Sequence, residues 1–147
     1  MITAQRSFIL MTVLLAAFVL NPLWTMADET TVDQADAQNQ AAQDWLDLAG
    51  QGKYKESWDS ASAVVKDSIT SAQWESSTAS TIAQVGARLT RGLDGRAEVS
   101  AVPGLPDGEY VILTFSSSFA NKATAVEKLT LKKDADGTWR TAAYSIQ

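Results

Sequence analysis

Glu127 is the acidic residue of this sequence that is best placed to take part in chemistry. It alternates with Leu129 and Leu131, and because side chains of a β-strand point alternately to opposite faces, a strand here puts the carboxylate on the same face as the two leucines. A carboxylate among apolar side chains either has a raised pKa or takes a cationic partner. Arg140 and Tyr144 are the nearest candidate partners on the strand that follows, but a slip of one residue in the hairpin register would turn them away.

Two roles are open to such a carboxylate. With a raised pKa and a phenol within hydrogen-bond reach, either Tyr144 or Tyr110, it could move protons next to a carbonyl as a general acid or base. Alternatively it is a structural group, either meeting solvent at a strand end or held in an ion pair. Trp139 could add a stacking surface beside Arg140. The candidate ligand-binding residues are therefore Glu127, Arg140, Tyr144, Tyr110 and Trp139. None of them is assigned as catalytic.

Composition excludes most catalytic and metal-binding arrangements. The sequence has no His and no Cys, so a Ser-His-Asp triad, a Cys-His pair and a thiolate or imidazole metal site are impossible. The DADG segment at residues 134–137 begins like a calcium loop but lacks the further acidic ligands at the required spacing, which favours a tight hairpin turn. We expect no metal and no cofactor.

The net charge of the chain limits the classes of partner that it can bind. The formal net charge is −5 and the pI is about 4.6, so the surface repels phosphate backbones and anionic lipid headgroups. We expect no nucleic acid and no membrane as a partner, which leaves an unidentified small molecule or protein. A homodimer is compatible with the sequence, but no feature of the sequence requires it.

The N-terminal residues have the pattern of a secretory signal peptide. Arg6 precedes an apolar run over residues 8–20, and small residues at 25 and 27 predict cleavage after Ala27. An uncleaved membrane anchor is the alternative, but the run is shorter than the roughly 20 apolar residues that a span needs. We therefore expect a periplasmic or secreted protein. Its predicted organisation is a signal peptide at 1–27, a flexible mature N terminus at 28–36 and a single domain at 37–147.

Three segments place apolar residues at the three-and-four spacing of amphipathic helices, namely residues 38–49, 54–65 and 70–89. The third opens with a capping box formed by Thr70 and Gln73, and Gly86 weakens its interior and could end it. The large aromatic residues on the apolar faces are expected in the core rather than in a ligand cage. These core aromatics are Trp45, Tyr54, Trp58, Trp74 and Phe115.

After a turn predicted at residues 92–95, the periodicity changes from helical to alternating. It predicts four strands, over residues 97–102, 109–119, 125–133 and 138–146. Short links between successive strands favour antiparallel pairing. Helices first and strands last predict the α+β class, with three N-terminal helices packed on a four-stranded antiparallel sheet.

Several motifs together resemble a known family. They are WLDLAGQGKYKESW from residue 45, then Trp74, then PGLPDGEYVILTFSSSFANKATAVEKLTL from residue 103, and DGTWRTAAYSI from residue 136. In this combination the chain resembles the bacterial domain-of-unknown-function family numbered 4019 over residues 41–147. The resemblance implies an exported protein with a cystatin-like or nuclear-transport-factor-2-like cone, and it supplies no activity and no catalytic residues. Ala143 and Ile82 depart from the Gly and the Arg that members often carry, so no polar function is assigned to either position.

Two functions follow as hypotheses. The first is a non-enzymatic exported domain that binds a small apolar ligand or a protein partner through the cone between sheet and helices. The second is a small isomerase or lyase that uses a carboxylate and a tyrosine as acid and base. The second requires Glu127, or another acid, to lie within hydrogen-bond reach of Tyr144 or Tyr110 in a closed cavity.

Overall fold

The computed structural model describes residues 29–147, in which four α-helices precede four β-strands. The helices are α1 (Glu29–Gly50), α2 (Tyr54–Asp59), α3 (Ala63–Ser68) and α4 (Ser71–Val85). The strands are β1 (Arg88–Val99), β2 (Tyr110–Phe119), β3 (Lys122–Lys133) and β4 (Trp139–Ile146). This order confirms the predicted α+β class. The predicted signal peptide and its cleavage site lie outside the described residues.

The four strands form one antiparallel sheet in the order β1-β2-β3-β4. The β3–β4 hairpin closes as the sequence predicts, because Gly137 has φ of 80° and the Asp134 amide donates to the Thr138 carbonyl at 2.9 Å. Sequential antiparallel strands with short links therefore give the sheet that the alternating pattern indicates. Its likeness to a cystatin-like or nuclear-transport-factor-2-like cone stays a prediction.

The core lies between the helices and one face of the sheet, which we call the inner face. It is formed by the alternate apolar residues of the two central strands: Val111, Leu113, Phe115, Leu129 and Leu131. Helix α1 packs mainly over β4 and reaches β3, while α2 packs against α4. The apolar stripe of α1 thus covers the half of the sheet that contains β3 and β4.

Helix α1 reaches further towards the N terminus than its apolar stripe indicates. The sequence predicts a flexible segment over residues 28–36, and the structure is helical from Glu29 onward. Residues 31–37 are mostly polar and exposed. Only the second half of α1 is packed against the rest of the protein, and the apolar periodicity of the sequence therefore indicates only that half.

The second predicted helix is two helices, so the predicted number of three is wrong. The chain breaks around Ser62, whose amide donates to the Thr141 carbonyl on β4 at 2.9 Å and whose hydroxyl donates to Asp134 Oδ1 at 2.5 Å. The Ala63 amide also donates to the Asp134 carboxylate at 3.3 Å. Contacts with the edge of the sheet and the β3–β4 turn thus replace the helical continuation that local periodicity favours.

The turn predicted at residues 92–95 is also wrong, because this segment lies inside β1. The capping box at Thr70 starts α4 as predicted, but the helix ends at Val85, and Gly86 follows with φ of 78°. Leu89 therefore belongs to the strand and not to a helical stripe. The glycines of the segment accommodate a register shift between Leu93 and Gly95 instead of reversing the chain.

Candidate functional site

Glu127 lies on the inner face of the sheet, in the middle of β3. Its Cα pairs with Phe115 on β2 and with Ile146 on β4. The side chain is 0% exposed and alternates with the buried Leu129 and Leu131. A carboxylate at this depth must be neutralised or fully hydrogen-bonded, because an isolated buried charge is very costly.

Three side chains donate to this carboxylate. Arg91 on β1 donates from Nε to Oε1 at 2.8 Å and from Nη2 to Oε2 at 2.5 Å. Ser117 on β2 donates from its hydroxyl to Oε1, and Tyr144 on β4 donates to Oε2 at 2.5 Å. One residue from each strand thus converges on a single group. We call Arg91, Ser117, Glu127 and Tyr144 the Glu127 cluster.

The hydrogen bonds of the cluster keep the carboxylate ionised. Burial acts to raise the pKa of Glu127, but the hydrogen bonds from Arg91, Ser117 and Tyr144 outweigh burial and lower the pKa below its usual value. Burial raises the pKa of the Tyr144 phenol, and its hydrogen bond to the Glu127 carboxylate raises it further. The cluster therefore holds a charged carboxylate, a charged guanidinium and a neutral phenol.

Arg91 and Ser117 have no place in the sequence-based candidate site. Arg91 lies next to the segment that was expected to be a turn, so no strand was predicted there to carry it towards Glu127. In the structure Arg91 pairs with Ser117 across β1 and β2. The only sequence signal that could have found Ser117 is its place in the alternation of Leu113 and Phe115.

Arg140 is not a partner of Glu127, which corrects one of the two partners expected from sequence. It pairs with Lys132 on β3, and its guanidinium binds Asp136 at 2.8 Å and Asp134 at 3.1 Å in the β3–β4 hairpin. The register shift between Thr130 and Leu131 separates its face from that of Tyr144. The other expected partner, Tyr144, does reach Glu127.

Tyr110 and Trp139 lie elsewhere in the core. Tyr110 is buried, and its hydroxyl donates to the Pro106 carbonyl at 2.5 Å instead of to an acid. Trp139 is buried, and the ammonium of Lys133 lies 5.9 Å from the centre of its ring. Of the five candidate residues, only Glu127 and Tyr144 are hydrogen-bonded to each other.

Aromatic residues of α1, α4 and β4 pack against one another. Trp45 and Trp74 meet edge to face at 5.8 Å, and both indole N–H groups donate to Ser57, at 3.1 Å to its carbonyl and at 2.9 Å to its hydroxyl. Trp45 also lies 4.9 Å from the ring of Tyr144. This packing connects the helical core to the Glu127 cluster.

The remaining core aromatics expected from sequence take different positions. Phe115 is buried in the same core as Trp45 and Trp74. Trp58 is half-buried at the edge of that core, with the Lys66 ammonium 5.6 Å from the centre of its ring. Tyr54 is half-buried and lines a cavity.

That cavity has a volume of about 480 Å³ and lies between the C-terminal ends of α1 and α4 and the first residues of β1. Its apolar walls include Leu46, Ala49, Ile82 and Phe119. Arg91 and Tyr144 also line it, so two members of the Glu127 cluster form part of its wall. We call this space the α1–α4 cavity.

Comparison with known proteins gives one result. The model of a family described as a protein of unknown function (DUF4019) matches residues 41–144. The chain belongs to this family. No curated protein and no solved structure matches the chain. The matched range of DUF4019 contains the whole Glu127 cluster and every residue that lines the α1–α4 cavity.

Two further features of residues 29–147 bear on the site. None of the helices in this range combines the length and the apolar character needed to cross a membrane. No group of acidic side chains in the same range is arranged to hold a metal ion.

Proposed function

We propose that this DUF4019 protein is exported and binds a small, largely apolar ligand in the α1–α4 cavity. The observation that carries the proposal is a cavity of about 480 Å³ with apolar walls and a few convergent polar groups. Binding pockets for small molecules typically have this size and this character.

The Glu127 cluster supports binding through rigidity. Its members come from all four strands, and the bidentate contact between Arg91 and Glu127 joins β1 to β3 across β2. Arg91 and Tyr144 also form part of the cavity wall. A wall held by buried, charge-assisted hydrogen bonds loses little conformational freedom when a ligand binds.

The alternative of a carboxylate and tyrosine enzyme is weaker, although Tyr144 lies within hydrogen-bond reach of Glu127. A general acid or base works best with a pKa near the operating pH. The pKa of Glu127 is lowered and that of Tyr144 is raised, so both move away from neutrality. Both Glu127 oxygens already accept hydrogen bonds within the cluster.

Binding is tested by titrating 1-octanol, a neutral apolar probe, into the isotope-labelled protein and following amide chemical shifts. We expect shifts confined to the cavity lining. Ile82→Trp places a larger ring on the cavity wall and should abolish them, whereas Ile112→Trp makes the same change at a half-buried position outside the cavity lining and should not. Shifts that are absent, or equally strong in I82W, would refute the proposal.

Export is tested separately by measuring the intact mass of the protein in the producing cells and their surroundings. We expect a processed chain that begins at Asp28, because the pattern of residues 1–27 is that of a cleaved signal peptide. An unprocessed chain in the cytoplasm would rule export out and leave the binding proposal to its own test.

A further inference from the structure

We propose that the ligand of the α1–α4 cavity is an apolar monocarboxylate and that Arg88 binds its carboxylate. This inference rests on the proposed function and adds the chemistry of the ligand's polar end. It rests on one side chain of the cavity lining that makes no ion pair and no side-chain hydrogen bond within residues 29–147.

Arg88 is that side chain. It is the first residue of β1, it is exposed, and it lines the cavity. Within residues 29–147 it makes no ion pair and no side-chain hydrogen bond, whereas Arg91, Arg96 and Arg140 each bind a carboxylate. An unpaired guanidinium beside an apolar wall offers a flat pair of donors, to which a carboxylate binds in a bidentate manner.

Arg91 adds a donor without adding net charge. Its Nε and Nη2 bind Glu127, which neutralises it, and its Nη1 donates to no group in the described part of the chain. Arg88 and Arg91 both belong to the inner face of β1, since they pair with Phe119 and Ser117 on β2. The β1 wall of the cavity therefore presents one uncompensated positive charge.

That single charge decides which anion fits. A monocarboxylate carries one negative charge, whereas a phosphate monoester carries close to two at neutral pH. A second phosphate charge would stay unpaired, because the charge of Arg91 is already matched by Glu127. The positive charge of Arg88 is opposite in sign to that of the protein as a whole, whose net charge is −5.

Asp47 sets the orientation of the ligand. It lines the cavity from α1 whereas Arg88 lines it from β1, and within residues 29–147 its side chain has no ion pair. A carboxylate on the ligand is repelled from the α1 wall and attracted to the β1 wall. The apolar tail then lies against Leu46 and Ile82.

The test uses three probes that share an eight-carbon chain: octanoate, 1-octanol and octylammonium. Their affinities are measured by calorimetry at pH 7, with chemical-shift mapping to locate binding. We expect octanoate to bind at least tenfold more tightly than octylammonium, since a hydrogen bond between charged groups contributes enough for a factor of about ten or more. Octanol should fall between them.

Three substitutions, one of them a control, test the roles of Arg88 and Asp47. Arg88→Gln should weaken octanoate binding about tenfold and leave octanol unchanged. Arg96→Gln is the matched control, because Arg96 lies on the inner face of the same strand, binds only the exposed Glu98 at 3.3 Å and is outside the cavity lining. Asp47→Asn should strengthen octanoate binding. Since the Arg88 side chain makes no ion pair and no hydrogen bond among residues 29–147, R88Q is expected to fold as the wild type does.

The outcomes separate this inference from the proposed function. If octanol binds in the cavity but octanoate binds no more tightly than octylammonium, or R88Q binds octanoate as well as R96Q does, the carboxylate inference is wrong and the binding proposal stands. If none of the three probes shifts the amides of the cavity lining, both are wrong.

Discussion

Burial raises the pKa of the Glu127 carboxylate and hydrogen bonding lowers it. The hydrogen bonds have the larger effect, so the pKa is lowered. Removing this charge from water costs several kcal/mol. The buried carboxylate therefore depends on every one of its hydrogen-bond donors to offset that cost. Arg91 is the donor that also brings the compensating charge, and it is 11% exposed while Glu127 is fully buried. Loss of the arginine is therefore the most damaging single change in the cluster.

We predict that Arg91→Met destabilises the protein by about 3–5 kcal/mol, because it leaves a buried charge without its partner. The double substitution R91M with Glu127→Leu should recover most of this loss, since it removes the buried charge as well. Urea denaturation of the wild type and both variants measures the free energies of unfolding. A cost below about 1 kcal/mol for R91M alone would contradict the account of the cluster.

The lowered pKa of Glu127 also predicts how stability depends on pH. In the unfolded chain the carboxyl has its ordinary pKa of about 4.5, and in the folded protein its pKa is lower. Below pH 4.5 the unfolded state therefore binds more protons, so this contribution to stability is present above that pH and is lost as the pH falls through the folded pKa.

Thermal unfolding between pH 7 and pH 2 measures this effect. Glu127→Gln should be less stable than the wild type at pH 7, and the difference should shrink as the solution becomes acidic, since Gln does not titrate. A constant difference across the whole range would show that folding does not change the pKa of Glu127, and a difference that grows in acid would show that the pKa is not lowered.

At the scale of elements, the turn between α4 and β1 positions the wall that carries Arg88. The Asn121 amide donates to the Val85 carbonyl and the Ala120 amide to the Ala87 carbonyl, both at 2.8 Å, so the end of α4 is bound to the β2–β3 turn. Gly86 makes this approach possible with φ of 78° and ψ of −165°, a conformation that is essentially restricted to glycine.

We predict that Gly86→Ala costs about 1–3 kcal/mol of stability from backbone strain. A Cβ there would also come within 3.0 Å of the Asn121 side chain. Gly92→Ala is the matched control, because Gly92 lies in β1 without a positive φ and a Cβ there would meet nothing within 4 Å. Equal effects of the two substitutions in urea denaturation would contradict this role for Gly86.

At the scale of the whole molecule, the helices cover only part of the inner face. Helix α1 lies over β4 and β3, while Leu93 on the inner face of β1 is 54% exposed although it pairs with Phe115. The core is therefore concentrated on the β2 to β4 side. The α1–α4 cavity lies where that cover ends.

Because the helices cover the inner face unevenly, replacing Leu by Ala should cost very different amounts of stability at two positions of the sheet. Leu129→Ala should cost about 2–5 kcal/mol, because Leu129 is fully buried and its loss leaves a cavity. Leu93→Ala should change stability by no more than about 0.5 kcal/mol, as surface substitutions do. Both are measured as free energies of unfolding in urea. A large cost at Leu93 would mean that something covers this face in solution, such as a second copy of the chain.

The sequence by itself determined the features that depend on residues close together in the chain. The alternation of Glu127 with Leu129 and Leu131 placed the carboxylate on the buried face, the capping box at Thr70 marked the start of α4, and the glycine in the DADG segment marked the hairpin. Each signal lies within a few residues of the feature it predicts, so periodicity and turn chemistry were enough.

The tertiary structure alone decided which partners those elements meet. Arg91 reaches Glu127 because β1 starts at Arg88 and pairs with β2 through two register shifts, and Ser62 interrupts a helix because its amide binds a carbonyl of β4. Arg140 turns away from Glu127 because of one register shift in the last hairpin. These outcomes depend on pairing between residues far apart in the chain, where a change of one residue in register reverses the face, and local patterns carry no information about that choice.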